Sequence, residues 1–228
     1  MRIIFVRHGH PNYEKDCLTD LGHLQAQAAA ERLKDEGITQ IHASSSGRAR
    51  ETAEHTAQLL SLPVTQHDFM REIWWGSADG EPIAHGGQPW MIAEDMVAAQ
   101  QSLLDSGWGD SPYFSRNTAT THVRMIADKL DAFLLTLGYA REGLYYRVRG
   151  SAGGTIAIFS HGGSSSAMLS HLFNLPFPFV CNAMPPDFTA VTILRLPDEE
   201  GVLASPNFEL LGDARHIRGV TTENLFGR

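Results

Sequence analysis

Cysteine is nearly absent: Cys17 and Cys181 are the only two in 228 residues, and they lie far apart. With no CxxC pair, neither a thiolate zinc site nor a disulfide framework is suggested, and reduced thiols are expected. Basic residues are scarce as well, 18 Lys and Arg against 26 Asp and Glu, for a net charge of −8. No basic stripe exists to neutralise a polyphosphate backbone, so nucleic acid is not an expected partner. No stretch approaches the roughly 18 consecutive apolar residues of a membrane span, and the run MRIIFVRHG is too short for a signal peptide. A cytoplasmic protein without a membrane partner is expected. Eleven histidines invite thoughts of zinc, but HExxH is missing too, and no metal or other cofactor is expected.

What is present is ordinary globular material, 43% hydrophobic and 19% charged, in a length that suits one α/β domain. Repeats and low-complexity tracts are lacking, so residues 1–228 are read as a single domain. Arg2 to Val6 is an apolar, β-branched run that predicts a buried strand. Thr19 then serves as N-cap to a helix with Leu21, Leu24, Ala28 and Leu33 on one face, stopped at Gly37. A strand over Ile38 to Ala43 and a helix over Gly47 to Leu62, ended by Pro63, complete a βαβα pattern that predicts a mostly parallel sheet. Thr155 to Phe159 is the clearest buried strand, followed by a helix over Ser164 to Phe173 and a strand over Ala190 to Leu196. Residues 77–154 match this pattern poorly and read as an insertion or lid. They hold one helix over Trp90 to Leu104, a long amphipathic helix over Arg116 to Leu137, and a loop or hairpin over Tyr139 to Gly154.

In open α/β sheets ligands bind outside the carboxyl ends of the strands, so residues just past a strand carry raised functional weight. Three segments qualify: Arg7-His8-Gly9, Ser44 to Arg48, and Ser160-His161-Gly162-Gly163. A neutral imidazole can attack phosphorus, and its reference pKa of about 6.5 leaves it largely neutral near physiological pH. A lone histidine at a strand end is more often a satisfied polar residue. Arg7 and Gly9 shift the balance for His8, the first as a forked donor for phosphate oxygens, the second by allowing close backbone approach. Two HGG triplets compete for a second histidine. His161 lies between a buried strand and a helix N-terminus that can face an anion, whereas His85 sits in a Pro- and Gly-rich stretch.

These segments resemble the signatures of the histidine phosphatase superfamily, also called the phosphoglycerate mutase-like family. Arg7-His8-Gly9 resembles its RHG motif, and Leu18-Thr19-Asp20-Leu21-Gly22-His23-Leu24-Gln25-Ala26 its LTxxGxxQA segment. Ser44 to Ala53 resembles SSPLxRAxxTA, lacking the usual Pro-Leu and with Gly47 next to Arg48. Arg71-Glu72-Ile73-Trp74-Trp75-Gly76 resembles LxEIxFGxWEG, and Leu210 to Ile217 a C-terminal LxxxNDTxHL with Gly212 in the asparagine position. The resemblance implies a three-layer α/β fold with a mostly parallel central sheet flanked by helices.

It further implies a phosphohistidine intermediate on His8. The phosphate would be bound by Arg7, Arg48, Gly9 and Gly162, with His161 stabilising transition-state charge and Glu72 donating the proton to the leaving oxygen. Asp79 and Glu81 remain reserve acids. The substrate would be a small phosphate ester. Glycolytic mutases of the family carry RHGxSxWN, from which His10-Pro11-Asn12-Tyr13 departs, so a phosphatase is expected. Phosphoglycerate mutase-type transfer is the alternative, and a non-catalytic phospho-ligand binder is the second. Trp90, Trp108, Tyr113, Phe114, Arg116 and Arg124 would either wall the substrate pocket or simply pack the insertion onto the sheet, while Met91, Ile92 and Met96 have core spacing.

Overall fold

A computed structural model describes residues 1–150, 153–218 and 220. In chain order, Arg2–Arg7 forms β1, and Pro11–Asn12 (β2) and Cys17–Leu18 (β3) make a small hairpin before α1, Asp20–Leu33. Ile38–Ser44 (β4), Gly47–Leu60 (α2) and Val64–His67 (β5) follow, then Pro89–Ala98 (α3) and Thr118–Thr136 (α4). Tyr139–Glu142 (β6) and Tyr145–Val148 (β7) precede Thr155–Ser160 (β8), Gly162–Phe173 (α5) and Phe177–Ala183 (α6). Val191–Arg195 (β9), Leu203–Ala204 (β10) and Asn207–Asp213 (β11) complete the order.

The main sheet runs β11-β9-β1-β8-β4-β5. The β1, β8, β4 and β5 strands are mutually parallel, and β9 pairs antiparallel with both β1 and β11. Alternation along each buried strand divides the core into two layers. Ile3, Phe5, Ile156 and Ile158 face α4 and α5 through Val123, Ile126, Leu130, Met168 and Leu172. Ile4, Val6, Ile41, Ala157 and Phe159 face α1 and α2 through Leu33, Ala53 and Ala57. Helices, sheet and helices thus make the expected three layers. No helix among the described residues is long and apolar enough to cross a membrane.

Several elements differ from the sequence reading. Thr19 does cap α1, accepting from Gly22 N at 3.1 Å, but the buried face is Gly22, Gln25, Ala26, Ala29, Ala30 and Leu33. Leu24 is 54% exposed. Small residues let α1 lie close against Ala49 and Ala53 of α2, so backbone proximity replaced leucine as the packing signal. Two helices stop short of their expected ends, because Ser61 and Gln100 enter the left-handed region just past α2 and α3. Residues 77–154 are not one lid. The α4 residues Val123, Ile126 and Leu130 belong to the main core beside β1, and residues 139–148 form a hairpin that pairs with β10. Ser151 and Ala152 of the expected loop, and the end of the expected single domain, lie outside the described residues.

On the outer half of the sheet His42 of β4 is buried against Phe133, with ring centroids 5.0 Å apart, and its Nδ1 lies 3.0 Å from Nε2 of His67. Desolvation first, and His67 second, push its pKa down to about 4. Between pH 6.5 and 4 the unfolded chain therefore binds a proton that the folded chain refuses. Stability is full above pH 6.5 and falls as the pH drops through this window. One proton sets a ceiling of about 1.4 kcal/mol per pH unit, which screening at this partly open edge reduces. Urea unfolding at pH 7 and pH 5 should show this loss, and His42→Gln should shrink it; an unchanged pH slope in the variant would refute the assignment.

Candidate active site

Register brings the strand ends to one level. Arg7 pairs with Ser160 and Ala43 with Phe159, so the loops after β1, β4 and β8 leave the sheet side by side. His8 N donates to Ser160 O at 2.9 Å, and the His8 and His161 rings stand 5.1 Å apart, edge to face. Arg48 at the start of α2 reaches His8, Nε to Nε2 at 3.3 Å. Glu72 reaches the start of α5, where its Oε1 accepts from Ser164 N at 3.0 Å. Five of the residues expected to carry chemistry, Arg7, His8, Arg48, Glu72 and His161, thus surround one point.

His8 is 1% exposed. Its Nδ1 sits 2.7 Å from the Gly9 carbonyl, which can only accept, so Nδ1 carries the hydrogen and Nε2 keeps its lone pair. Desolvation, then the positive charge of Arg7, holds the ring's pKa well below 6.5, with Arg48 adding to this. The ring is therefore neutral at physiological pH, with its basic nitrogen turned to the arginines. His161 is fully buried, with Nε2 2.8 Å from Ser44 Oγ. Desolvation and the neighbouring His8 and arginines lower its pKa likewise.

The two arginines are held differently. Arg7 donates through Nη1 to Pro186 O at 2.7 Å and lies 4.3 Å over the Phe188 ring. Its Nε and His161 Nδ1 are buried without a protein partner, two unspent polar groups at the same spot. Arg48 donates through Nη1 to Asp16 Oδ1, while Asp16 Oδ2 accepts from Gly47 N at 2.8 Å. One carboxylate thereby caps α2 and steers the arginine. A β-carbon at Gly47 would stand 2.0 Å from the Asp16 carbonyl oxygen, so the glycine beside Arg48 makes room for this loop.

Glu72 accepts through Oε1 from both Ile73 N, at 2.9 Å, and Ser164 N. Desolvation raises its pKa above the ordinary carboxylate value and outweighs those backbone bonds and the charge of Arg7. The reserve acids are elsewhere. Asp79 pairs with Arg116, Nε to Oδ2 at 2.7 Å, which holds it far below the carboxylate range and unfit to carry a proton. Glu81 is exposed beside it and donates its backbone N–H to Asp79.

The glycines call for correction. The close approach at Gly9 is to the chain itself, since a β-carbon there would meet Gly22 O at 2.6 Å; its backbone N is spent on Thr52 Oγ1 at 3.0 Å. Gly162 would tolerate a β-carbon, at 3.7 Å from the Trp90 indole. Gly163 would not, with Glu72 Oε1 at 2.6 Å. His85 lies apart, bound to Asp95 at 2.8 Å. Of the suggested wall residues, Phe114 is buried, Trp108 packs between Phe114 and Phe177, and Arg116 and Arg124 pair with Asp79 and Asp110. Only Trp90 nears the site.

Sequence reasoning missed Ser44 as a partner of His161, Asp16 as the brace of Arg48, and Phe188 beneath Arg7. Gly47 was the one hint, pointing to a close neighbour without naming it. Among the described residues no three His, Cys, Asp or Glu converge to hold a metal ion.

Comparison with known proteins agrees with this layout. The family model of the histidine phosphatase superfamily (branch 1) matches residues 3–113. A probable phosphoglycerate mutase GpmB of Proteus mirabilis is 36% identical over 93 residues, covering 37% of this chain and 43% of that protein. The corresponding Yersinia pestis protein is 30% identical over 92 residues, again 43% of its length. The chain thus spans less than half the length of these curated relatives in the match. A phosphoserine phosphatase of Entamoeba histolytica, solved with 3-phosphoglyceric acid, superposes with a TM-score of 0.62 at 18% identity, over 95% of this chain and 98% of that one. A mycobacterial glucosyl-3-phosphoglycerate phosphatase gives 0.61 at 23% identity, over 92% and 98%. At these identities the structural likeness concerns the fold.

The brace on Arg48 is open to test. Asp16→Ala removes the cap of α2 and should lower stability by about 0.5–2 kcal/mol, which a 228-residue chain registers as roughly 2–4 °C of Tm per kcal/mol. Asp16→Asn keeps an oxygen for Gly47 N and should lose clearly less. Equal melting of both variants and the parent would show that the cap contributes nothing.

Proposed function

Because the chain belongs to the histidine phosphatase superfamily, branch 1, we propose that it hydrolyses a phosphomonoester through a phosphohistidine on His8. The observation that carries this reading is the locked tautomer. With Nδ1–H given to Gly9 O, the Nε2 lone pair of a neutral, buried imidazole points to the spot that Arg7, Arg48 and His161 surround.

In the first step Nε2 of His8 bonds to phosphorus as the ester P–O bond breaks in line. Arg7, Arg48 and His161 spread donors and positive charge over the equatorial oxygens. The proton for the departing oxygen comes from Glu72, whose pKa desolvation raises in favour of the protonated form. Its Oε1 is occupied by backbone N–H groups, so the proton sits on Oε2. In the second step the Glu72 carboxylate takes a proton from water, whose oxygen attacks phosphorus and frees His8 and inorganic phosphate. The roles of Gly9 and Gly162 reduce to shaping the loop and admitting the substrate.

Release to water, as against return of the phosphoryl group to a rearranged product, is supported by His10-Pro11-Asn12-Tyr13, which departs from the RHGxSxWN pattern of the family's glycolytic mutases. The printed names of the curated relatives favour the other reading, phosphoglycerate mutation. A coupled assay separates the two by comparing phosphate release with phosphoglycerate interconversion.

His8→Ala should abolish turnover of a generic aryl phosphate and the acid-labile, base-stable label left by phosphate substrate. Glu72→Gln should slow phosphoenzyme formation, read in a single turnover, by about 10²–10⁴-fold for alkyl phosphates and much less for aryl phosphates, since a good leaving group needs little help from an acid. An active His8→Ala enzyme would rule out the nucleophile, and an equal loss on both ester types would remove Glu72 as the acid.

A further inference from the structure

Aromatic side chains flank the site and belong to no step above. A β-carbon at Gly162 would stand 3.7 Å from Cζ2 of Trp90 and 3.8 Å from Nε of Arg7, so the indole edge and the guanidinium both border the first turn of α5. Trp75, three residues after Glu72, stands edge-on to Trp90 with centroids 5.5 Å apart, and is 38% exposed. On the other side the Tyr13 ring faces Arg48, 5.5 Å from its Cζ. Tyr13 therefore borders Arg48 while remaining 67% exposed. Large aromatic groups left partly wet beside a cleft are an arrangement that ligand sites favour and cores do not.

The charges at this rim argue against a second anionic group as the main handle. Arg116 and Arg124 are paired with acids. Arg71 is exposed, and its positive charge adds to those that disfavour protonation of His161. It is the cation that a carboxylate on the substrate would have to use.

We propose that Trp75 and Trp90 on one side and Tyr13 on the other hold the leaving group, and that the preferred substrates are phosphomonoesters of an aromatic alcohol. This rests on the phosphatase reading. Flat rings stack and meet edge to face with these side chains, while an alkyl chain of equal length offers less contact. Aryl esters also hydrolyse faster for reasons of leaving-group chemistry, so turnover alone cannot test the claim.

The test is competitive binding of non-hydrolysable phosphonates to the full chain, followed by calorimetry. Benzylphosphonate should bind about tenfold tighter than methylphosphonate. Trp75→Leu and Trp90→Leu should each bring that ratio close to one, read within each variant so that a general loss of affinity cancels. Trp75, being the more exposed, serves if the Trp90 variant does not fold. Equal binding of the two phosphonates by the parent chain would overturn the proposal. So would tightest binding of 3-phosphonopropanoate with loss of that advantage in Arg71→Gln, which would give the leaving-group site to Arg71. Aromatic preference in binding without turnover of any ester would instead overturn the phosphatase reading and leave the aromatic site standing.

Discussion

Everything at the site depends on the parallel pairing of β1 with β8. That ladder sets Arg7 opposite Ser160 and lets His8 N bond the Ser160 carbonyl, so two histidines 153 positions apart in sequence end with their rings 5.1 Å apart. A slip of one residue would turn His8 to the other face of the sheet and bury a different set of side chains. The hydrophobic alternation of Ile3 to Val6, packed on both faces, makes such a slip costly. Core packing is therefore what positions His8.

Burial then does a second thing. By excluding water it keeps both imidazoles neutral beside two arginines and at the same time favours the protonated form of Glu72. One cause, desolvation, acts in opposite directions on a base and an acid, and leaves each in the state that the proposed phosphoryl transfer would use. Positive charge from Arg7 strengthens the effect on His8 and tempers the effect on Glu72.

The arginines illustrate how cations are gathered at one point of an acidic protein. Net charge contributes nothing favourable at −8, so the cations are braced individually. Arg7 is held by Pro186 O and Phe188, and Arg48 by Asp16. Asp16 pays for this with a left-handed backbone, φ 49°. The brace spans a loop and a helix start that pattern reasoning treats separately.

The amino-acid sequence alone determined the alternating strands, the helix cap at Thr19, and the placing of His8, Arg48 and His161 just past strand ends. These are local or periodic features, and local steric and hydrophobic rules suffice for them. Only the tertiary structure decided which glycines are obligatory, that α1 packs on alanines in place of leucines, that Asp16, Ser44 and Phe188 serve the site, and that Trp90 alone of the suggested wall residues approaches it. Each of those is a contact between segments distant in the chain. Such contacts depend on backbone separation and on which of several acids reaches which arginine, and residue type and spacing carry no record of either.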